Sequence, residues 1–366
     1  MPTSKIPMLL SKLKNWFRTG LHTSGAFEAN EPSAQAPVIR HDQPTESQFP
    51  CHFDSLFIKH NGDVFPCCAV WGNPRWRIGS LHDKEIIQKI INFDGDGCRC
   101  FWKANRRAYE GELPLIKHLH LELSLKCQAK CAMCCVNAPD WNGDYDFYEE
   151  LTALVDLLRP KYISVQGGEI LVQPRSISWL EKVKSMHQDT VLRLVTNGGA
   201  PTGKNLDTIE RLFKLVSISF VGFQPETYKT IMGLDVSYTR DLARRIDKTK
   251  VILRLKFLVT PLNLHEAAAF FSWAVTICPS AIVFHDSGFH NYVQLDTEDN
   301  FWSKIQSRAA KALQRAIISN VSNLIASGTK LHLQENVRKF YDISPEFISE
   351  NNLSTVFITS LNENME

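Results

Sequence analysis

The sequence lacks the features that mark membrane, secreted or nucleic-acid-binding proteins. No apolar run is long enough to cross a bilayer, and residues 1–20 have no continuous apolar core of the kind found in a secretory signal. The net charge is only +2 over 366 residues, which gives no global attraction to nucleic acid or to acidic substrates. No nucleotide-phosphate loop or nucleic-acid module is recognisable. We therefore expect a cytoplasmic protein of ordinary globular composition.

Cysteine is the residue whose distribution is unusual. Nine of the ten cysteines fall between residues 51 and 135, and only Cys278 stands apart as an ordinary thiol. Without an export signal, such clustering predicts metal binding rather than a disulfide framework. The adjacent pairs Cys67–Cys68 and Cys134–Cys135 favour the same interpretation.

Residues 1–48 are predicted to be a short helix followed by a linker. Leu9, Leu13, Trp16 and Phe17 share one face of the helix, and basic residues lie opposite. For residues 5–18, contact with a membrane surface is one interpretation, and a helix docked on this protein or a frayed terminus is the favoured alternative.

Residues 49–112 form a small Cys-rich region built on a predicted hairpin. Its strands are Ser55–His60 and Val64–Phe65, and the Asn61–Gly62 pair supplies the turn. A short helix is predicted over residues 83–92.

From residue 118 onward, strand and helix patterns alternate. The predicted strands are His118–Leu125, Tyr162–Val165, Thr190–Thr196, Leu215–Phe220, Lys250–Thr260 and Ala281–His285. The predicted helices are Tyr148–Leu158, Ser176–Ser185, Asn205–Lys214, Tyr238–Lys248 and Leu264–Thr276. This alternation predicts an α/β fold of parallel βαβ units, either an open doubly wound sheet or a barrel. Residues 291–366 are predicted to be a C-terminal helical extension, with an apolar stripe over 296–327 that ends at Gly328.

A cysteine motif follows the first of these strands directly. Cys127, Cys131 and Cys134 have the spacing Cys-x3-Cys-x2-Cys. Three thiolates can hold three irons of a [4Fe–4S] cube, which leaves the fourth iron open for a ligand. Active sites of α/β folds lie at the carboxyl ends of strands, where this loop is predicted to be.

The ordered motifs resemble those of the radical S-adenosylmethionine (radical SAM) superfamily. Gly167-Gly168-Glu169 ends the second strand and is similar to the family's Gly-Gly-Glu motif beside the methionyl group. Asn197 ends the third strand and Ser219 lies on the fourth, where the family places polar residues near the ribose or carboxylate. The resemblance implies a partial (βα)6 TIM-like barrel over residues 113–290.

Some positions depart from the family pattern. Gln128, Met133, Ile170, Val221 and Met232 replace residues that are frequent in the family. The last two stand where many members carry Asp and Arg, and Arg254 on the fifth strand could take over carboxylate binding.

The resemblance also implies the chemistry. A [4Fe–4S] cluster on Cys127, Cys131 and Cys134 would reduce S-adenosylmethionine to methionine and a 5′-deoxyadenosyl radical, which abstracts hydrogen from a substrate. A peptide or carbohydrate substrate is favoured, and an electron donor such as flavodoxin or ferredoxin is implied. No cobalamin-binding region is evident.

The N-terminal Cys-rich region resembles the SPASM and twitch domains of radical SAM enzymes. The resemblance implies an auxiliary [4Fe–4S] cluster on Cys51, Cys67, Cys98 and Cys100, with Cys68 as an alternative to Cys67. Such a domain normally follows the barrel, whereas here it precedes it. A four-cysteine zinc site is the alternative.

Two other functions stay open from the sequence. A non-enzymatic zinc module would use residues 51–135 for interaction, but it leaves Gly167–Glu169 unexplained. An electron-transfer protein would need four protein ligands at each cluster. The segment Cys127–Cys134 supplies three cysteine ligands unless Cys135 is the fourth.

Overall fold

The computed structural model describes residues 55–67, 70–71, 73–93, 116–131, 134, 136, 138, 146–199, 202–260, 262–286 and 301–358. The predicted N-terminal helix and linker lie outside these residues. So do five of the cysteines discussed above: Cys51, Cys68, Cys98, Cys100 and Cys135.

The described strands form one ten-stranded sheet in the order β10-β9-β8-β7-β6-β5-β4-β1-β2-β3. The strands are β1 Ser55–Ile58, β2 Asp63–Phe65, β3 Gly79–Ser80, β4 His118–Glu122, β5 Tyr162–Gln166, β6 Val191–Thr196, β7 Leu215–Phe220, β8 Ile252–Val259, β9 Ala281–Asp286 and β10 Lys330–Leu333. Neighbouring strands from β4 to β9 pair in parallel, as the alternating pattern predicts.

Helices connect these parallel strands. They are α2 Tyr148–Leu158, α3 Pro174–Met186, α4 Thr202–Leu212, α5 Pro225–Met232, α6 Val236–Ile246 and α7 Ala267–Thr276. The short helix α1, Ile86–Ile91, lies in the N-terminal region. Five of the six connecting helices match predicted ones, and α5 was not predicted. The six parallel strands with their helices confirm the α/β fold expected of a partial (βα)6 barrel.

Alternation along the strands gives the sheet two different faces. One face is apolar: Leu119 and Leu121 of β4, like Ile163 and Val165 of β5, belong to the main core with residues of α2 and α3. The opposite face carries the alternate positions, and we call it the polar face. On strands β4 to β8 its residues include His118, His120, Glu122, Tyr162, Ser164, Arg193, Ser217, Ser219, Arg254 and Lys256.

The predicted hairpin is present and extends the sheet of parallel strands. Strand β1 pairs antiparallel with β2, and Gly62 in the turn has φ +82°, a conformation that glycine adopts at no steric cost. The same strand β1 pairs in parallel with β4, with Ser55 opposite His118. The Cys-rich region therefore continues the sheet beyond its first parallel strand.

The C-terminal extension covers the other edge. Helix α8, Phe301–Ser327, ends before Gly328, whose φ of +69° confirms the predicted stop. Strand β10, which was not predicted, then pairs in parallel with β9. Two short helices follow, α9 Glu335–Phe340 and α10 Pro345–Glu350. Among the described residues, no helix is long and apolar enough to span a membrane.

Candidate active site

The three cysteines of the Cys-x3-Cys-x2-Cys motif lie just beyond the carboxyl end of β4. Each is half-buried and none is in a disulfide. Their sulfurs receive backbone hydrogen bonds, from Ala129 N to Cys127 Sγ at 3.4 Å and from Ala138 N to Cys134 Sγ at 3.4 Å. The loop thus points N–H groups at its sulfurs, an arrangement that stabilises thiolates.

Burial sets the protonation of Cys127 in the metal-free chain. It raises the pKa of the thiol to about 11, which outweighs the hydrogen bonds from Ala129 and Asn197 that lower the pKa. The thiol is therefore protonated at neutral pH until a metal ion displaces the proton.

Gly167 and Gly168 pack directly against the chain that leads into the cysteine loop. A Cβ on Gly168 would lie 2.2 Å from the carbonyl oxygen of Lys126, and Gly167 has φ +110°. The N–H groups of Gly168 and Glu169 donate to the carbonyls of Ser124 and Lys126, at 3.1 and 2.8 Å. The two glycines therefore fix the start of the cysteine loop. Their predicted contact with S-adenosylmethionine stays a prediction.

Gln173 fixes the same segment, which sequence reasoning missed. Its Nε2 donates to the carbonyl oxygens of Ser124 at 3.1 Å and Lys126 at 2.9 Å. Gln173 is buried, and its Oε1 accepts a hydrogen bond from the hydroxyl of Ser176. Its position four residues after Glu169 was the only signal for it in the sequence.

Glu169 is 1% exposed, and its carboxylate is engaged within the protein. Oε2 accepts hydrogen bonds from Thr196 Oγ1 and from Asn197 N, both at 2.8 Å, and Oε1 accepts one from Leu171 N at 3.2 Å. Burial raises the pKa of Glu169, while these hydrogen bonds lower it. The carboxylate thus joins the end of β5 to the end of β6. Its predicted contact with an ammonium group stays a prediction.

Asn197 lies against the first cysteine. Its Nδ2 donates to Cys127 Sγ at 3.8 Å, and its Oδ1 accepts from Gln128 Nε2 at 3.1 Å. Its carbonyl oxygen accepts from the hydroxyls of Tyr228 and Thr239, at 3.3 and 3.0 Å. The structure shows that Asn197 contacts the cysteine loop, and its predicted position near a ribose stays a prediction.

Helix α5 holds the cysteine loop from another side. Lys130 N donates to the carbonyl oxygen of Met232 at 2.8 Å, at the last residue of α5. Met232, which departs from the family pattern, thus contacts the cysteine loop through its carbonyl oxygen.

Ser219 and Arg254 lie on the polar face. Ser219 of β7 is half-buried and stands opposite Lys256, and Arg254 of β8 stands opposite Ser217. Both are on neighbouring strands, as expected for residues that share a ligand, but their predicted contacts with the cosubstrate stay predictions.

Glu122 links the Cys-rich region to the active-site end of β4. Its Oε2 lies 3.3 Å from Nδ1 of His60, which follows β1. Glu122 is buried and its Cα lies 3.3 Å from the position of a Cβ on Gly167. A histidine from the hairpin thus contacts a carboxylate beside the cysteine loop.

Cys67 lies at the other end of the hairpin. Ser55 Oγ donates to the carbonyl oxygen of Pro66 at 3.4 Å, so Cys67 follows a residue that contacts the amino end of β1. Because β1 runs parallel to β4, Cys67 lies near the amino ends of these strands, whereas Cys127 lies beyond the carboxyl end of β4. The other predicted ligands of the auxiliary cluster, Cys51, Cys98 and Cys100, lie outside the described residues.

The donor set at the cysteine loop suits a cubane cluster. Within the described ranges, no three or more His, Cys, Asp or Glu side chains form a group that could hold one metal ion. In a [4Fe–4S] cube each thiolate binds a different iron, so Cys127, Cys131 and Cys134 need not converge on one point. The N–H donors at two of the three sulfurs fit thiolate ligands.

Comparisons with known proteins agree with this donor set. The family model of the radical SAM superfamily matches residues 121–259, and the model of the SPASM iron-sulfur cluster-binding domain matches residues 50–110. The first implies a [4Fe–4S] cluster and S-adenosylmethionine, and the second implies further iron–sulfur clusters.

Individual relatives are distant. GTP 3′,8-cyclase of Crocosphaera subtropica is 25% identical over 128 residues, which are 32% of this chain and 37% of the relative. The structure of Streptococcus suis SuiB bound to precursor peptide SuiA has a TM-score of 0.46 at 11% identity and covers 62% of this chain and 51% of SuiB. That of anSMEcpe with bound AdoMet has a TM-score of 0.45 at 17% identity and covers 59% of this chain and 63% of that protein.

The chain therefore spans about a third of the curated relative and half of SuiB. The two family models cover successive parts of the chain, with the SPASM match first. On these matches, residues 121–259 belong to the radical SAM superfamily, and residues 50–110, which precede them, belong to a SPASM iron–sulfur cluster-binding domain.

Proposed function

We propose that this protein is an enzyme that cleaves S-adenosylmethionine reductively and uses the resulting radical to abstract hydrogen from a peptide or carbohydrate. The observation that carries the proposal is the construction of the cysteine loop. Cys127, Cys131 and Cys134 follow the first parallel strand, and the ends of the second and third strands hold this loop through Gly168 and Asn197.

The residues of this chain would bind the cluster and orient its cysteine ligands. Cys127, Cys131 and Cys134 would hold the cluster, whose iron supplies one electron to S-adenosylmethionine. Asn197 donates a hydrogen bond to the sulfur of Cys127, and Glu169 keeps Asn197 in place. Hydrogen bonds to cluster sulfurs tune the reduction potential, so Asn197 and Glu169 would adjust the potential of a cluster held by Cys127.

The polar face of the sheet is the proposed site of the cosubstrate and the substrate. Ser219 and Arg254 lie on it, next to each other in strand order and beneath the end of the sheet that carries the cysteines. We propose that the carboxyl ends of β5 and β6, with Gly167, Gly168 and Glu169, adjoin the methionyl group. In a parallel sheet the carboxyl ends of neighbouring strands lie side by side, which supports one site formed by β5 and β6.

We further propose that the SPASM region holds an auxiliary [4Fe–4S] cluster on Cys51, Cys67, Cys98 and Cys100. The position of Cys67 supports a site at the amino ends of β1 and β4, opposite the strand ends that carry Cys127. We propose boundaries at residues 49–112 for this region, 113–290 for the core and 291–366 for the extension. Flavodoxin or ferredoxin in the cytoplasm is the proposed electron source.

The test is made on anaerobically purified and reconstituted protein. Iron and sulfide are measured, and 5′-deoxyadenosine is followed after addition of S-adenosylmethionine and dithionite. We expect about eight irons per chain, from two four-iron cubes, together with 5′-deoxyadenosine. Zinc without iron and no 5′-deoxyadenosine would instead identify an interaction module. Cys278→Ala is the matched control, because Cys278 is exposed and outside both proposed sites.

A further inference from the structure

Arg193 is a buried cation on the polar face that the proposed cluster chemistry does not use. It lies in β6, three residues before Thr196, and it is only 6% exposed. Its guanidinium carbon lies 3.7 Å from the centre of the Tyr162 ring. Among the described residues, no carboxylate lies within salt-bridge distance of Arg193, whereas the exposed Arg77 and Arg211 each have one.

The groups around Arg193 supply no negative charge at neutral pH. Burial, together with the positive charge of Arg193, lowers the pKa of His118 to about 2 and that of His120 to about 4. Both imidazoles are therefore neutral. Burial and the charge of Arg193 also lower the pKa of Arg254 to about 10, so the two guanidinium groups repel each other.

A buried guanidinium without an anion is unfavourable, because burial removes its hydration and no opposite charge replaces it. Stacking on Tyr162 and a side-chain hydrogen bond with Tyr162 compensate for only part of this loss, because neither brings a full negative charge. A bound anion would supply the missing opposite charge, and the planar fork of arginine matches the oxygens of a carboxylate or a phosphate.

The position of Arg193 separates its ligand from the cosubstrate. Arg193 lies four residues before Asn197, which corresponds to about 13 Å along a strand, so Arg193 lies roughly that far below Asn197. The cysteine loop, which Asn197 contacts, is at that strand end. An anion held by Arg193 thus lies deeper along the polar face than the proposed cluster.

We propose that Arg193 binds a carboxylate or phosphate group of the substrate, so that this enzyme acts on an anionic molecule. The assignment to a substrate rests on the function proposed above, whereas the anion site itself does not. An acidic peptide or a sugar acid would offer the carboxylate, and a phosphorylated sugar would offer the phosphate.

The first experiment measures anion binding to the full-length, reconstituted protein. Inorganic phosphate and succinate are titrated calorimetrically at constant ionic strength, with sodium chloride as the balance. The proteins are wild type, Arg193→Met, Arg193→Lys and the control Arg315→Met, since Arg315 is an exposed arginine on α8. We expect the dissociation constant of at least one of the two anions to rise roughly tenfold in Arg193→Met, less in Arg193→Lys, and not in Arg315→Met. The anion with the lower dissociation constant in wild type shows whether Arg193 prefers a phosphate or a carboxylate group.

A second readout is the melting temperature without added anion. If Arg193 is held for a ligand, Arg193→Met melts at or above the wild-type temperature, because an unneutralised buried charge has been removed. A lower melting temperature with unchanged anion binding would show that Arg193 serves the structure and would overturn the proposal. Failure of phosphate and succinate to bind the wild type would also overturn it.

The cosubstrate is tested separately. If Arg193→Met weakens binding of S-adenosylmethionine as strongly as that of the anions, the guanidinium serves the carboxylate of the cosubstrate, and the substrate assignment is wrong. If wild type forms no 5′-deoxyadenosine while its anion binding still depends on Arg193, the proposed function fails and the anion site stands. The two failures are therefore distinguishable.

Discussion

Gly168 and Lys126 are in direct backbone contact. A Cβ on Gly168 would lie 2.2 Å from the Lys126 carbonyl oxygen and 2.4 Å from that of Leu125. These distances are far below a normal contact, and the neighbours are backbone atoms that cannot rotate away. The position of the cysteine loop thus depends on the absence of a side chain at one glycine of the Gly-Gly-Glu motif.

Gly168→Ala tests this contact. We expect the segment Leu125–Lys126 to shift, with loss of most iron at the Cys127–Cys134 loop and a stability decrease of about 1–3 kcal/mol from overpacking. Iron content and urea unfolding measure both effects. Gly328→Ala is the control, because Gly328 has nothing within 4 Å of the added Cβ and should cost only about 1 kcal/mol of backbone strain. Equal iron content in both variants would contradict the proposed contact.

Glu169→Gln tests the link between β5 and β6. The carboxylate accepts three hydrogen bonds from Thr196, Asn197 and Leu171, and an amide oxygen cannot accept all of them. We expect a loss of about 1–3 kcal/mol in the free energy of unfolding, measured with urea. The control Glu181→Gln alters an exposed ion pair and should change stability by less than about 1 kcal/mol. Indistinguishable losses would show that the Glu169 contacts are not stabilising.

Asn197→Ala removes a donor to the sulfur of Cys127. Such a hydrogen bond stabilises the reduced, more negative cluster, so its loss should lower the reduction potential. A bond worth about 1 kcal/mol corresponds to about 40 mV for one electron. Redox titration followed by electron paramagnetic resonance measures the shift, and Asn323→Ala on the exposed side of α8 should show none. A potential that rises or stays constant in Asn197→Ala would contradict this role.

His120 predicts a pH dependence of stability. Its pKa is about 4 in the folded chain and about 6.5 when unfolded, chiefly because of burial. Between these values the unfolded state binds more protons, so stability is full above about pH 6.5 and falls as the pH drops towards 4. Phe57, His118 and Arg193 face this ring.

His120→Phe should reduce this loss. Between pH 7.5 and 5 we expect the free energy of unfolding of the variant to fall by roughly 1–2 kcal/mol less than that of wild type. Urea unfolding at the two pH values measures the difference, in which other acid-sensitive groups cancel. Parallel losses in the two proteins would show that His120 is already accessible to protons in the folded state.

The periodic part of the fold was predictable from the sequence. Alternating residues such as Leu119 and Leu121 marked the strands, and the turn at Gly62 marked the hairpin. Helix α5 and strand β10 were missed because each is short: eight residues in Pro225–Met232 and four in Lys330–Leu333. In such short segments tertiary contacts decide the structure more than local pattern does.

The candidate site divides in a similar way. Spacing identified Cys127, Cys131 and Cys134, because iron ligation imposes a sequence pattern. The sequence could not show that the Glu169 carboxylate accepts a hydrogen bond from Asn197, since this contact joins residues that are distant in the chain. Arg193 was not singled out either, because its burial without a carboxylate partner is visible only once neighbouring strands are placed.

The central claim is that the loop of Cys127, Cys131 and Cys134 carries the catalytic cluster. The most direct measurement is 5′-deoxyadenosine formation by the reconstituted triple variant Cys127→Ala, Cys131→Ala and Cys134→Ala, beside wild type and Cys278→Ala. The account predicts product from wild type and from Cys278→Ala and none from the triple variant. A triple variant that still cleaves S-adenosylmethionine would contradict it.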